Sequence, residues 1–388
     1  MKGRRIIWFI LWILSLVAIS FYGGAVSYGL FFCLTLVPAV SFVYLICVFA
    51  TFRIYQEIES RNIICRQSMP YYFVLHNVEQ FAFAGVSVRM FSGLSYVEEI
   101  PEDAEYELLA GERYTFRTGL VCKYRGEYEV GVREVILTDF FRLFRFRYKI
   151  PGTIKAVVSP RIVKKSELKS ISDISAYLCR ESRNGNTEPD LTVRDYAAGD
   201  PIKQIHWKAS AREQKLKVRN RIGEEKQGIM LLLDTGRRNN DPYKYLPVEN
   251  LILETVLALG YFFAVNTISF SVLYGRGEVC TSRVEGTAQY EAFYREMSGI
   301  IFDDKEDGGR MFTQLAGEGN LWESRAVFAV LQRMDDLIMD TAEFLAENGS
   351  IIVIYVITDE NLEQYVRRTS SRLKIIPVPV DSQLEEWL

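Results

Sequence analysis

From residue 6 to residue 52 the chain carries no Asp, Glu, Lys or Arg, and no other property narrows its possible folds as far. One helix over that stretch, rising about 1.5 Å per residue, would greatly overshoot a hydrocarbon core about 30 Å thick. The stretch therefore divides into two spans, about 6–22 and 27–52. Gly23-Gly24, Ser27 and Gly29 supply the turn between them, and Pro38 is expected to kink the second helix. Lys2, Arg4 and Arg5 precede this hairpin, Arg53, Arg61 and Arg66 follow it, and the connecting loop has no cation. The positive-inside rule then expects a two-span protein of the cell membrane with both termini, and everything after residue 53, in the cytoplasm. A signal peptide with a weak cleavage site at Ala18-Ile19-Ser20 is the rival reading, and it leaves the remainder cytoplasmic as well.

A chain of 388 residues with a formal net charge of −3 has room for two or three domains and no bulk attraction for nucleic acid. Cys33 and Cys47 lie in the second span, and Cys65, Cys122, Cys179 and Cys280 are scattered without a Cys-x-x-Cys pair. That pattern fits reduced structural thiols rather than a zinc site or a disulfide framework.

Residues 71–160 alternate apolar and polar side chains between turn signals at Gly85, Gly93, Pro101, Gly111, Gly126 and Pro151-Gly152, which predicts a small antiparallel β-sandwich. Within it Phe144, Phe146 and Tyr148 alternate with Arg145, Arg147 and Lys149, so one strand has an apolar and a basic face. The interleaving invites a nucleic-acid reading, but an amphipathic strand tethered near lipid explains it without one. Further on the rhythm changes. Apolar runs at 228–234, 267–274, 326–331, 351–357 and 373–380 read as buried strands, separated by helix-length segments at 248–265, 335–347 and 361–368. This predicts an α/β domain with a mostly parallel sheet wrapped by helices.

The densest chemistry lies at residues 194–212, where Arg194, Asp195, Tyr196, Gly199, Asp200, Ile205, His206, Trp207, Lys208 and Arg212 fall close together. His76 and His206 are the only imidazoles, no phosphate-cradling glycine motif occurs, and no Cys/His spacing suits a metal. No catalytic set, metal or cofactor is therefore assigned. Through residue 221 Lys and Arg outnumber the acids, and Lys215, Lys217, Arg219 and Arg221 alternate with Leu216, Val218 and Ile222. Such a face suits an anionic surface, and it equally suits a solvated strand.

The run from Arg194 to Arg212 resembles the signature of the domain-of-unknown-function 58 (DUF58) proteins, Arg-x-Tyr-x-x-Gly-Asp followed by Ile-x-Trp-Lys-x-x-Ala-Arg. Upstream, Arg125-Gly126, Tyr128 and Gly131, then Asp139-Phe140 with Leu143-Phe144, resemble that family's Arg-Gly-x-Tyr and Asp-Pro-Phe-Gly-Leu-Phe patterns, the Pro and Gly being replaced. The resemblance implies four parts: a transmembrane hairpin at 1–66, a β-rich domain at 67–160, the signature segment and connection at 161–227, and a von Willebrand A-like domain at 228–388. Domains of that type bind a divalent metal through Asp-x-Ser-x-Ser after the first strand. Here the positions are Asp234, Gly236 and Arg238, both serines are missing, and Gln332 and Arg333 replace a later acid. The fold is expected without its metal.

The family's association with MoxR-type AAA+ ATPases and transglutaminase-like membrane proteins implies a non-enzymatic, membrane-anchored adapter or assembly factor at the cell envelope. In that reading the signature is largely architectural: Asp195 or Asp200 pairs with Arg212 or Lys208, Trp207 packs beneath the sheet, and the segment joins the β-rich part to the A-like one. The alternative is an enzyme or binding protein for an anionic envelope precursor, with Arg194, Asp200, His206 and Lys208 lining its pocket.

Overall fold

The computed structural model describes residues 2–60, 62–101, 103–150, 152–165, 167–184, 193–196, 205, 207–219, 227–275, 279–303, 307–318, 321, 324–380 and 382–387. It divides into two compact units, residues 1–161 and 162–388.

In the first unit, helices α1 (Lys2–Tyr22) and α2 (Ala25–Thr51) form a hairpin, and both are long and apolar enough to cross a membrane. Gly23 and Gly24 reverse the chain with φ of 57° and 90°, a left-handed pair that side chains resist. Trp8 Nε1 donates to Leu34 O at 3.1 Å and Trp12 Nε1 to Thr35 Oγ1 at 2.9 Å, which sets the register of the two helices. The α2 helix continues through Pro38. Its 27 residues extend for about 40 Å, some 10 Å more than a hydrocarbon core requires. The surplus is used in folding: Leu45, Val48 and Phe52 are buried in the core of the β-rich part.

That part contains β1 (Arg53–Ile58), β2 (Asn62–Ile64), β3 (Ser68–His76), β4 (Phe83–Met90), β5 (Ser95–Val97), β6 (Asp103–Leu108), β7 (Arg113–Cys122), β8 (Gly126–Val130), β9 (Val132–Thr138), β10 (Arg145–Lys149) and β11 (Ile154–Ser159). They pair in the orders β1-β3-β7-β5, β10-β9-β4-β6 and β2-β11-β8. The segment expected as a small antiparallel sandwich forms three small sheets, antiparallel except where β11 runs parallel to β2. That pairing joins strands some ninety residues apart, beyond the reach of local turn signals. Strand β10 is amphipathic, as expected. Phe146 and Tyr148 meet Phe42 and Phe49 of α2 with ring centroids 5.9 and 5.7 Å apart, while Arg145, Arg147 and Lys149 are exposed.

The second unit contains α3 (Ser172–Asn184), β12 (Val193–Asp195), α4 (Trp207–Glu213), β13 (Lys217–Arg219), β14 (Gln227–Leu233), α5 (Pro242–Val265), β15 (Phe270–Gly275), β16 (Val279–Val284), α6 (Thr287–Ser298), α7 (Gly308–Gly317), β17 (Ser324–Leu331), α8 (Asp336–Glu347), β18 (Ile351–Ile357), α9 (Glu363–Val366) and β19 (Leu373–Val378). Six strands form one sheet in the order β16-β15-β14-β17-β18-β19, parallel except at the β16 edge. Both faces are covered, which is why its strands are continuously apolar. Ile229, Leu231 and Leu233 of β14 share a core with α5 and α6, and Leu232 shares the opposite one with α7 and α8.

Helix α5 is also long and apolar enough to span a membrane, but residues 249–260 are all buried, so its apolar character belongs to the protein core. Edge strand β16 and helix α6 escaped the sequence reading because their one-sided patterns mix polar and apolar residues. The segment expected as a helix at 361–368 is helical only over α9.

Candidate functional site

Within the signature, β12 pairs antiparallel with β13, Asp195 standing opposite Lys217. Tyr196 N continues the ladder by donating to Leu216 O at 2.9 Å. Helix α4 lies between the two strands in sequence and is tied to the second by Lys217 N donating to Ser210 Oγ at 2.8 Å. Gln214 takes a φ of 52° at the turn. Lys217 Nζ stands 2.8 Å from both Asp195 Oδ1 and Glu213 Oε2. Hydrogen bonding to Lys217, reinforced by its charge, holds Asp195 below its usual pKa. The same contacts, from Asp195 first and Glu213 second, push Lys217 up to about 12.

Asp195 pairs with Lys217, and Asp200, the other acid expected to meet Arg212 or Lys208, lies outside the described residues. Trp207 does not pack beneath the sheet: it is 64% exposed, with Lys208 and Arg212 exposed on the same short helix. Ile205 is half-buried, and Arg194 is described in its backbone only. Gly199, Asp200 and His206 lie outside the described residues, as does the pocket that Asp200 and His206 were expected to line.

A second cluster forms at the carboxyl end of β14. Counted along the sheet's own sequence the strand order is 3-2-1-4-5-6, and its switch point falls between β14 and β17, where open α/β sheets gather ligands. Asp234 follows β14 there and is fully buried. Its Oδ1 accepts from Gly236 N and Gly308 N, both at 2.9 Å, and its Oδ2 from Gln332 N at 3.1 Å. Burial raises its pKa, against the three N–H groups and Arg238, which act to lower it. A Cβ at Gly308 would stand 2.4 Å from Asp234 Cβ, so glycine is the residue that lets the backbone reach the carboxylate. Gln332 Nε2 also donates to Gly236 O.

In front of this carboxylate, Asp307 is flanked by Arg333 at 2.7 Å and Arg238 at 3.6 Å. Arg237 Nε and Nη2 bind Glu249 through Oε1 and Oε2 at 2.6 and 3.1 Å, and its guanidinium carbon lies 4.0 Å from the Tyr245 ring centroid. These groups do not fit a divalent ion. Asp234 is spent on backbone N–H groups, Asp307 on two guanidinium groups, and hard cations need several free oxygens. Among the described residues no group of three or more His, Cys, Asp or Glu could hold a metal.

Asp234, Arg238, Gln332 and Arg333 stand out in the sequence, whereas Asp307, Gly308 and Glu249 were not singled out there. Glu249 had a signal, being with Glu254 one of two carboxylates in a largely apolar helix. Asp307-Gly308-Gly309 is a helix start, its acid capping Gly309 and Arg310, and so carries the usual acid-then-helix cue.

Residues 192–273 match the family described as protein of unknown function DUF58, which supports assigning the chain to that family. No curated protein matches it. Among solved structures, proximal thread matrix protein 1 from the mussel byssus is 10% identical, over 38% of this chain and 42% of that one, with a TM-score of 0.28. A GH20 exo-β-N-acetylglucosaminidase from Vibrio harveyi is 8% identical, over 84% and 78%, with a TM-score of 0.20. Trypsin-activated α-2-macroglobulin from Escherichia coli is 10% identical, over 81% and 18%, with a TM-score of 0.22. The chain spans less than half of the mussel protein and under a fifth of the macroglobulin, and scores this low carry no argument.

Proposed function

We propose that this DUF58 protein is a membrane-anchored, non-enzymatic adapter or assembly factor of the cell envelope, working with a MoxR-type AAA+ ATPase. Trp207 carries the reading. A tryptophan 64% exposed on a helix with exposed Lys208 and Arg212 has the composition of a protein-binding hot spot, in which Trp and Arg dominate. A merely architectural signature would bury its largest aromatic ring, so we read α4 as the surface offered to the partner. The ATPase, and a transglutaminase-like membrane protein beside it, come from the family resemblance.

In this reading the six-stranded sheet is a von Willebrand A-like domain that has exchanged its metal for backbone N–H groups and arginines. The two N-terminal helices cross the membrane, and cations at both ends of the hairpin keep both termini and the soluble parts in the cytoplasm. Purification of the tagged full chain from native membranes tests the proposal. An AAA+ ATPase is expected in the eluate, and recovery of the protein without one counts against it.

A further inference from the structure

The FFRLF run, residues 140–144, has no part in the adapter reading, yet it helps to build a cavity of about 330 Å³ against α1 and α2. That volume lies within the range of ligand-binding clefts, roughly 300–1,000 Å³. Its walls include Trp8, Trp12, Pro38, Leu143 and Phe144, with Arg5 among them. The loop is held by Asp139, buried, whose Oδ1 accepts from Phe144 N at 2.6 Å and whose Oδ2 accepts from Phe141 N at 3.2 Å and from Ser41 Oγ of α2 at 3.0 Å. One carboxylate thus fixes both the loop and the helix beside it.

The polarity of the cavity is concentrated in one group. The indole N–H groups of Trp8 and Trp12 are satisfied by Leu34 and Thr35. Arg5 Nε donates to Leu143 O at 2.5 Å, and its guanidinium carbon lies 6.0 Å from the Phe144 ring centroid. Its two terminal nitrogens have no partner among the described residues. Arg5 immediately precedes the uncharged run, at headgroup depth, and from there to Trp12 the helix advances about 10 Å into the apolar region. A cation at the mouth and apolar walls below match an anionic headgroup above an acyl chain, and basic pockets between membrane helices bind such headgroups.

We propose that this cavity is a binding site for an anionic phospholipid of the leaflet on the side of the β-rich sheets, with its phosphate on Arg5 and one chain along Trp8 and Trp12. The test is quenching of tryptophan fluorescence in the full chain, reconstituted in phosphatidylcholine vesicles containing dibrominated phosphatidylglycerol or dibrominated phosphatidylcholine. The relevant signal is the part removed by Trp8→Phe with Trp12→Phe. The brominated phosphatidylglycerol should bind about fivefold more tightly than the brominated phosphatidylcholine, the scale of one cation near an anionic surface. Arg5→Gln should abolish the preference, whereas Arg5→Lys and Arg4→Gln should keep it. Equal quenching of the wild-type chain by the two lipids overturns the proposal without recourse to any Arg5 variant. So does an equal loss in Arg4→Gln and Arg5→Gln, which would mean diffuse attraction to the surface.

Discussion

The backbone N–H of Gln332 donates to Oδ2 of Asp234 at 3.1 Å, so one buried carboxylate ties together the two strand ends that flank the switch point of the sheet. Its other oxygen holds Gly236 and Gly308. Asp234→Ala would leave three N–H groups without their acceptor, at about 1–3 kcal/mol for each buried donor left unsatisfied. The expected loss is about 3 kcal/mol or more, seen as faster hydrogen exchange at Gly236, Gly308 and Gln332 and a lower melting temperature.

Gly308→Ala should disturb the same centre from the opposite side. Its Cβ would fall 2.4 Å from Asp234 Cβ, and overpacking of this kind costs about 1–3 kcal/mol. Thermal unfolding of the full chain in detergent checks this, with Gly317→Ala, whose Cβ meets nothing within 4 Å, as the tolerated control.

Because Asp234 and Asp307 are committed to N–H groups and guanidinium groups, millimolar Mg²⁺ or Mn²⁺ should leave the melting temperature unchanged. Ligand binding at a hundred times its Kd would stabilise by about 2.7 kcal/mol, so an upward shift of several degrees would refute this reading of the site.

Lys217 lowers the pKa of Asp195. A carboxyl group depressed in the folded state contributes stability that is present above its unfolded pKa and is lost as the pH falls through the folded one. Lys217, pushed up to about 12, contributes below its unfolded pKa and loses that contribution as the pH rises through 12. A carboxyl carbon NMR titration should place Asp195 below an ordinary aspartate, and Lys217→Met should return it toward the usual value.

Glu249 is buried, and its two oxygens meet Arg237. Arg237→Ala removes the guanidinium from a buried carboxylate, a change that typically costs about 3–5 kcal/mol. In a double-mutant cycle the combined variant with Glu249→Leu should be distinctly less destabilised than the sum of the single changes.

The sheet was legible in the sequence because both its faces are buried, leaving apolar runs such as GIMLLL and IIVIYVI. The α1–α2 hairpin was legible because its charges stop at Arg5 and resume at Arg53. The second role of α2 was not, since Leu45 in the β-rich core and Val43 on the exposed face are equally apolar. Nor was the partner of Asp195. Lys217 lies twenty-two positions away and becomes its neighbour only when β12 and β13 pair, whereas Lys208 and Arg212 are closer in sequence. The outward setting of Trp207 was hidden for the same reason, because a lone aromatic residue in a polar segment reads equally well as core or as contact surface.

The most direct test of the adapter account compares the AAA+ ATPase recovered with the wild-type chain and with Trp207→Ala, from native membranes holding equal amounts of each. If α4 is the docking surface, removing its exposed indole should weaken capture by about thirtyfold, the scale of a 2 kcal/mol hot spot, while the variant stays folded in the membrane. Undiminished recovery of the ATPase with Trp207→Ala would contradict the account.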